Sequence, residues 1–253
     1  VVFQKKKEKK KMLDKISKGK KKKPRRTVLY GVHGIGKSTF AAAFPDAVFV
    51  PTEDGISDLD VASFPLCLDL SSAYQAIIEL GGGDHEYKTV IVDSADWLER
   101  LIWKKVCQNE GKKAITDFGY GAGYGKANQI FADILNALNC CRDNGMNVVL
   151  IAHCAISRFE NPEGDSYDRY VPKLHKDAAA LIQEWADEVF FATYKVNVRK
   201  SDEGFNKERG VGVGAGERVL RTTERPAHLA KNRLGLPDEL PMSYEAYSKF
   251  ISV

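Results

Sequence analysis

The segment Gly31-Val32-His33-Gly34-Ile35-Gly36-Lys37-Ser38 constrains this 253-residue chain more than any other. It fits the spacing G-x-x-x-x-G-K-[ST] at every position, and that spacing builds a phosphate-binding loop only where a strand leads in and a helix leads out. Both flanks comply: Thr27 to Tyr30 reads as a short buried strand, and Lys37 to about Phe44 as an alanine-rich helix. In such a turn the glycines let successive backbone N–H groups converge on an anion. The helix N-terminus adds partial positive charge, and Lys37 reaches the outer phosphate oxygens. Residues 31 to 38, with Thr39 next on the helix, are the candidate nucleotide site, and the Ser38 hydroxyl is a candidate magnesium ligand.

Strands and helices alternate through the rest of the chain. Ala47 to Val50 reads as a second strand. A helix capped by Ser71 is expected to reach Leu80 and to end at Gly81 to Gly83, because glycine accepts the left-handed conformation of a C-cap. Thr89 to Asp93 is a third strand. Helices are expected over Ala95 to Cys107 and Ala127 to Cys141, with Phe118 to Gly125 as a loop between them. Asn147 to Ala152 is an unbroken apolar run, the pattern of a central strand covered on both faces. A helix over Ala178 to Ala186 is followed by a strand over Glu188 to Tyr194. The polar, glycine-rich Asn197 to Glu217 and a returning strand over Arg218 to Thr223 then predict a long C-terminal hairpin. His228 to Lys231 is a further strand candidate, and Ser243 is expected to cap a closing helix to Ser252. This order predicts an α/β fold with a mostly parallel central sheet flanked by helices, in one domain over residues 27–253.

A metal held by Ser38 needs a carboxylate opposite, and the apolar strand Thr89-Val90-Ile91-Val92 delivers Asp93. Hydrolysis of ATP also needs a group to orient or deprotonate the attacking water. Glu53 lies just past the second strand, at the edge where parallel strands deliver ligand-facing residues, with Asp54 and Asp96 as rivals. His153 closes the strand Asn147 to Ala152 at the same edge, where a polar side chain can touch the γ-phosphate and report its loss. Lys37, Glu53, Asp93 and His153 are the candidate catalytic groups, Ser38 and Asp93 the candidate metal ligands, and ATP and Mg2+ the expected ligands.

The formal charge of +4 conceals an asymmetry. Residues 1–26 carry fourteen Lys or Arg against Glu8 and Asp14, a local balance of +12 that leaves −8 for the other 227. A block of like charge repels itself, which predicts a flexible basic arm suited to phosphate-rich partners; a plain solvated tail is the alternative. The five cysteines, Cys67, Cys107, Cys140, Cys141 and Cys154, form no C-x-x-C pair and read as buried thiols. No apolar run is long enough to span a bilayer and no secretory segment opens the chain, so a cytoplasmic location without membrane attachment is expected.

Taken together, GVHGIGKST, PTEDG with Glu53, TVIVDS, DFGYGAGY, VVLIAH with His153, YVPKLHKDAA, WADEVFFATY and AKNRLGLPDEL resemble the RecA-like ATPase core. The resemblance is closest to the phage-encoded ATP-binding proteins of the Sak-type single-strand annealing and recombinase group, and it covers Thr27 to Val253. It implies that Glu53 is the catalytic base and that His153 is the γ-phosphate switch. It also implies that Lys231 and Arg233 form a basic pair reaching the neighbouring subunit's nucleotide, which requires a ring or filament. The loops Gly111 to Gly125, with Phe118, Tyr120 and Tyr124, and Ala155 to Lys176, with Arg158, Arg169, Tyr170, Lys173 and Lys176, would face single-stranded DNA. Glu160, Glu163, Asp165 and Asp168 dilute the second of these. The expected function is therefore ATP-dependent DNA recombination or annealing by a homo-oligomer, with a single-strand binding protein as a further partner and the host cytoplasm as the place of action. A small-molecule kinase and a DNA-binding scaffold with structural nucleotide are the alternatives.

Overall fold

The computed structural model describes residues 16–19, 23–195, 197–202, 208–213 and 216–251; most of the basic stretch lies outside them. The first half of the chain runs β1 (Arg26–Gly31), α1 (Lys37–Ala42), β2 (Ala47–Pro51), β3 (Ala62–Ser63), α2 (Leu70–Gly81), β4 (Thr89–Asp93), α3 (Ala95–Asn109) and α4 (Ala122–Asp143). The second half runs β5 (Asn147–Phe159), β6 (Tyr167–Pro172), α5 (Lys176–Trp185), β7 (Glu188–Tyr194), β8 (Asn197–Asp202), β9 (Glu208–Val213), β10 (Arg218–Arg221), β11 (Lys231–Asn232), β12 (Glu239–Pro241) and α6 (Tyr244–Ser248).

The main sheet has the order β12-β10-β7-β1-β5-β4-β2-β3. Strands β7, β1, β5, β4, β2 and β3 are parallel, and β10 and β12 extend the sheet antiparallel. Alternation along each strand feeds two cores. Val28, Tyr30, Val90, Val92, Val148 and Leu150 face the layer of α2, α3, α4 and α5. Leu29, Phe49, Ile91, Val149, Ile151 and Phe190 face α1 and α6 on the other side. Both faces being covered explains why the strand sequences are continuous apolar runs. The chain leaves β1 toward β2 on one side and places β7 on the other, so the crevice at the carboxyl end of β1 is a topological switch point.

Several expectations shift at element ends. Asp69, not Ser71, caps α2: its Oδ1 accepts from Ser72 N at 2.8 Å, because the helix starts two residues earlier than expected. The helix α4 begins at Ala122, not Ala127, so only part of Phe118 to Gly125 is loop. Gly123 sits where a Cβ would stand 2.7 Å from the Phe118 ring and 2.8 Å from Ile115 O, so this glycine permits close packing and does not break the helix. The β5 strand runs on to Phe159 and pairs with β6, so most of Ala155 to Lys176 is a β-hairpin and not a loop. His228 makes isolated bridges and the short strand β11 begins at Lys231. The long C-terminal hairpin is present as β7 with β10, continued by β8 with β9. Cys67, Cys107 and Cys141 are buried, whereas Cys140 is exposed and Cys154 half-buried.

Residues ahead of the expected Thr27 are also tied to the fold. Lys23 pairs with Asp143 at 2.9 Å, Arg26 is held by Asp187 at 3.1 Å, and Arg25 is ion-paired to Glu188. Glu188 is fully buried. It also accepts from Thr27 Oγ1 at 3.1 Å and from Tyr247 Oη at 2.6 Å, so α6 is pinned to the start of β7 through one carboxylate. Replacing Tyr247 by Phe removes the bond without changing the packed ring; a loss of about 1.5–3 kcal/mol in urea unfolding is expected, and unchanged stability would show that the contact is not formed.

Candidate functional site

The loop after β1 depends on three glycines. At Gly31 any Cβ would strike the carbonyl of Ala192 on the neighbouring β7. Gly34 and Gly36 have φ of +69° and +95°, a region L-residues rarely adopt. Among the described residues, the amides from His33 to Thr39 donate to no carbonyl or side chain until Phe40 N bonds Gly36 O at 2.9 Å. A row of unsatisfied amides at a helix N-terminus fits a polyphosphate. The Lys37 ammonium is buried and folds back on the carbonyls of Gly31 and Val32, at 3.2 and 3.0 Å. That burial lowers its pKa, opposed by Asp93.

Ser38 Oγ donates to Asp93 Oδ2 at 2.6 Å, so the two candidate metal ligands adjoin. A hydroxyl and a single carboxylate beside a phosphate cradle is a donor set suited to magnesium, which keeps water and phosphate oxygens as its other ligands. Burial raises the pKa of Asp93, with the Ser38 hydrogen bond and Lys37 pulling the other way. The ends of β2 and β4 are locked together. Thr52 N donates to Asp93 O at 2.7 Å, and the Thr52 hydroxyl donates to Ser94 O at 2.7 Å while accepting from Ser94 N at 2.9 Å.

Glu53 follows that lock. His153 lies level with Gly31 on the adjacent β5, and its Nε2 is 3.8 Å from Glu53 Oε1. Asp96, in the first turn of α3, accepts from His153 N at 3.1 Å and lies 3.0 Å from His153 Nδ1. The Asp96 carboxylate on Nδ1 fixes the ring so that Nε2 faces Glu53. The pKa of Glu53 is raised, chiefly by burial, and that of Asp96 is lowered because the His153 bonds outweigh its burial. The ring of His33, from the phosphate loop itself, stacks on His153 with centroids 4.3 Å apart. The nearby charge of His153 lowers the His33 pKa.

The site thus unites Gly31 to Ser38, Asp93, Glu53 and His153, as the sequence predicts. The rivals of Glu53 separate: Asp54 is exposed and bonded by Ser57 Oγ at 3.2 Å, and Asp96 is the partner of His153. Lys231 and Arg233 are not brought to this edge. Lys231 pairs with Val189 near the amino end of β7, and its ammonium donates to the carbonyls of Gln183 and Ala186 at 2.6 Å, capping the C-terminus of α5. Arg233 is 3.3 Å from Asp187. Of the expected aromatics, Phe118 packs on the core and Tyr124 stacks on His175, leaving Tyr120 fully exposed.

Sequence reading missed the roles of His33 and Asp96, and also Glu99, one helical turn beyond Asp96. Glu99 is buried and accepts from His175 N at 3.1 Å on both oxygens. The i, i+3 spacing of Asp96 and Glu99 on a helix entering at the site edge was the available signal.

A phosphate loop at the switch point of a parallel sheet, beside an aspartate suited to hold a metal and an acid just past the neighbouring strand, defines a P-loop nucleotide hydrolase core, the class that binds and hydrolyses ATP. The chain belongs to the AAA domain family, whose pattern matches residues 23–234. No curated protein matches it.

Burial raises the Glu99 pKa from 4.5 to about 7. The folded state therefore retains a proton that the unfolded chain has released between those values, so stability falls as pH rises through that window. Glu99→Gln mimics the protonated acid, and a flatter melting temperature against pH from about 4.5 to 7 is expected. A slope identical to that of the unsubstituted protein would place the titration elsewhere.

Proposed function

We propose that this protein is an ATP-dependent DNA recombination or single-strand annealing ATPase of the RecA-like, Sak-type group, which assembles as a homo-oligomer on single-stranded DNA in the cytoplasm. The observation that carries the reading is the position of His153. It stands beside Glu53 in the middle of β5, and the same strand continues unbroken into the β5–β6 hairpin. Lys173 N donates to His153 O at 2.8 Å, closing the hairpin directly on the site. A change at the γ-phosphate then has one strand to travel along toward Arg158 and the exposed Ile156. The +12 of residues 1–26 adds affinity for a polyanion.

In this reading Lys37 leaves the Gly31 and Val32 carbonyls for phosphate oxygens. Ser38 and Asp93 would hold magnesium, which would supply charge neutralisation on the phosphates. Glu53, its pKa raised, takes the proton of the attacking water, and His153 Nε2 orients the group beside it. The oligomer does not rest on Lys231 and Arg233, which would have to leave α5 and Asp187 to act in a neighbour. No helix among the described residues is long and apolar enough to cross a membrane.

ATPase rate measured with and without single-stranded DNA, beside particle images of the same sample, tests the proposal. Stimulation together with rings or filaments is expected; an indifferent rate from a monomer would overturn it. Glu53→Gln is expected to retain ATP binding while hydrolysis slows by about 10² or more, and an unchanged rate would remove Glu53 as the base. Deleting residues 1–22 is expected to weaken DNA binding and flatten its salt dependence, whereas an unaltered slope would make that stretch a bystander.

A further inference from the structure

We propose that Arg218 is a nucleotide-binding residue acting within its own subunit, gripping the phosphate tail from β10. The inference rests on the nucleotide-site reading above and adds to it a cation far away in sequence. Position is the first argument. Strand β10 pairs with β7 so that Arg218 lies level with Tyr194, two residues past Ala192, which is itself level with Gly31. Arg218 therefore stands just beyond the carboxyl edge of the sheet, on the side of β1 away from Asp93 and His153.

Contact is the second argument. Arg218 Nη1 lies 3.4 Å from the carbonyl of Ile35, and a Cβ on Gly36 would stand 2.6 Å from the same nitrogen. The glycine that the turn requires thus also leaves room for the guanidinium to rest against the loop. The stem is fixed. Arg218 O accepts from Met242 N at 3.0 Å, the next two residues are buried, and β10 is paired on both sides by β7 and β12. The neighbouring cations are held elsewhere, Arg221 by Glu239 at 2.6 Å and Lys195 by the same carboxylate at 3.2 Å.

Chemistry is the third argument. The Ile35 carbonyl, neutral and at long range, is a weak acceptor for a guanidinium. Phosphate oxygens beside it offer charge-assisted bonds in the planar, forked geometry that arginine matches and lysine does not. The ligand class is a nucleoside di- or triphosphate, and the role is binding of the tail from the side opposite Glu53 and His153.

The test compares the unsubstituted chain with Arg218→Ala and Arg218→Lys by titration of fluorescent ATP and ADP analogues, with melting temperature measured without nucleotide. Arg218→Ala is expected to weaken both ligands about tenfold or more, the loss of one charge-assisted hydrogen bond. Its melting temperature is expected to stay unchanged, and Arg218→Lys to recover part of the affinity. Affinities within about twofold of the unsubstituted chain would overturn the proposal. If Arg218→Ala proves unstable, Arg218→Lys decides: it keeps the charge and loses the fork, so a native melting temperature with full affinity also overturns it. Lys37→Ala separates the two readings. If the unsubstituted chain binds no nucleotide, or Lys37→Ala binds as well as it does, the phosphate-loop reading fails with this one; if Lys37→Ala loses binding and Arg218→Ala does not, the inference about Arg218 fails alone.

Discussion

Gly31 lies level with His153 on one side and with Ala192 on the other, and Pro51 lies level with Asp93. Every contact at the site follows from this pairing register, because parallel strands in fixed alignment end at one edge and deliver their next residues to one crevice. The alternation of Val28, Leu29 and Tyr30 between two cores fixes the register. A slip of one residue would turn Leu29 into the layer packed by α2 to α5 and expose that layer's own side chains to α1 and α6. The apolar cores thus hold the phosphate loop, Asp93 and His153 in alignment.

Three carboxylates, Glu53, Asp93 and Asp96, converge on this edge, and their environments push them apart. Burial raises Glu53 and Asp93, whereas Asp96 falls below its ordinary range because His153 offers it both a backbone and a ring donor. Groups of one chemical type with opposed shifts take different tasks. In the proposed mechanism Asp96, favoured in its charged form, orients the imidazole, Glu53 is the proton acceptor, and Asp93 would sit beside a cation that offsets its burial.

The phosphate loop was legible because its amides, lysine and hydroxyl are contiguous, and Asp93, Glu53 and His153 because each closes or closely follows an apolar run. The parallel sheet followed from alternation and from the unbroken run at Asn147 to Ala152. What escaped depends on pairs brought together only by folding. Asp96 resembled a rival base until β5 placed His153 on it, and His33 was an unspecified loop position until the two rings stacked. Gly123 looked like a turn because composition does not distinguish a glycine needed for φ from one needed for close packing. Lys231 and Arg233 matched a pattern of basic residues, but pattern alone carries no information about which end of a strand they occupy.

The two ends of the sheet use cations differently, and this sorts them. At the amino end Arg25, Arg26, Arg142 and Arg233 are absorbed by the carboxylates of Glu188 and Asp187, while Lys231 neutralises the carbonyl end of α5. Those charges are compensated inside the fold, and removing either partner of a buried pair leaves an uncompensated ion, so they are structural. At the carboxyl end Lys37 and Arg218 rest on backbone carbonyls of the phosphate loop, at 3.0 to 3.4 Å. A carbonyl dipole compensates a full charge weakly, so an arriving polyphosphate gains both cations without first breaking an ion pair in either described contact. The asymmetry is a physical reason for nucleotide to bind at this edge, and it separates Arg218 from the basic pair at the opposite end.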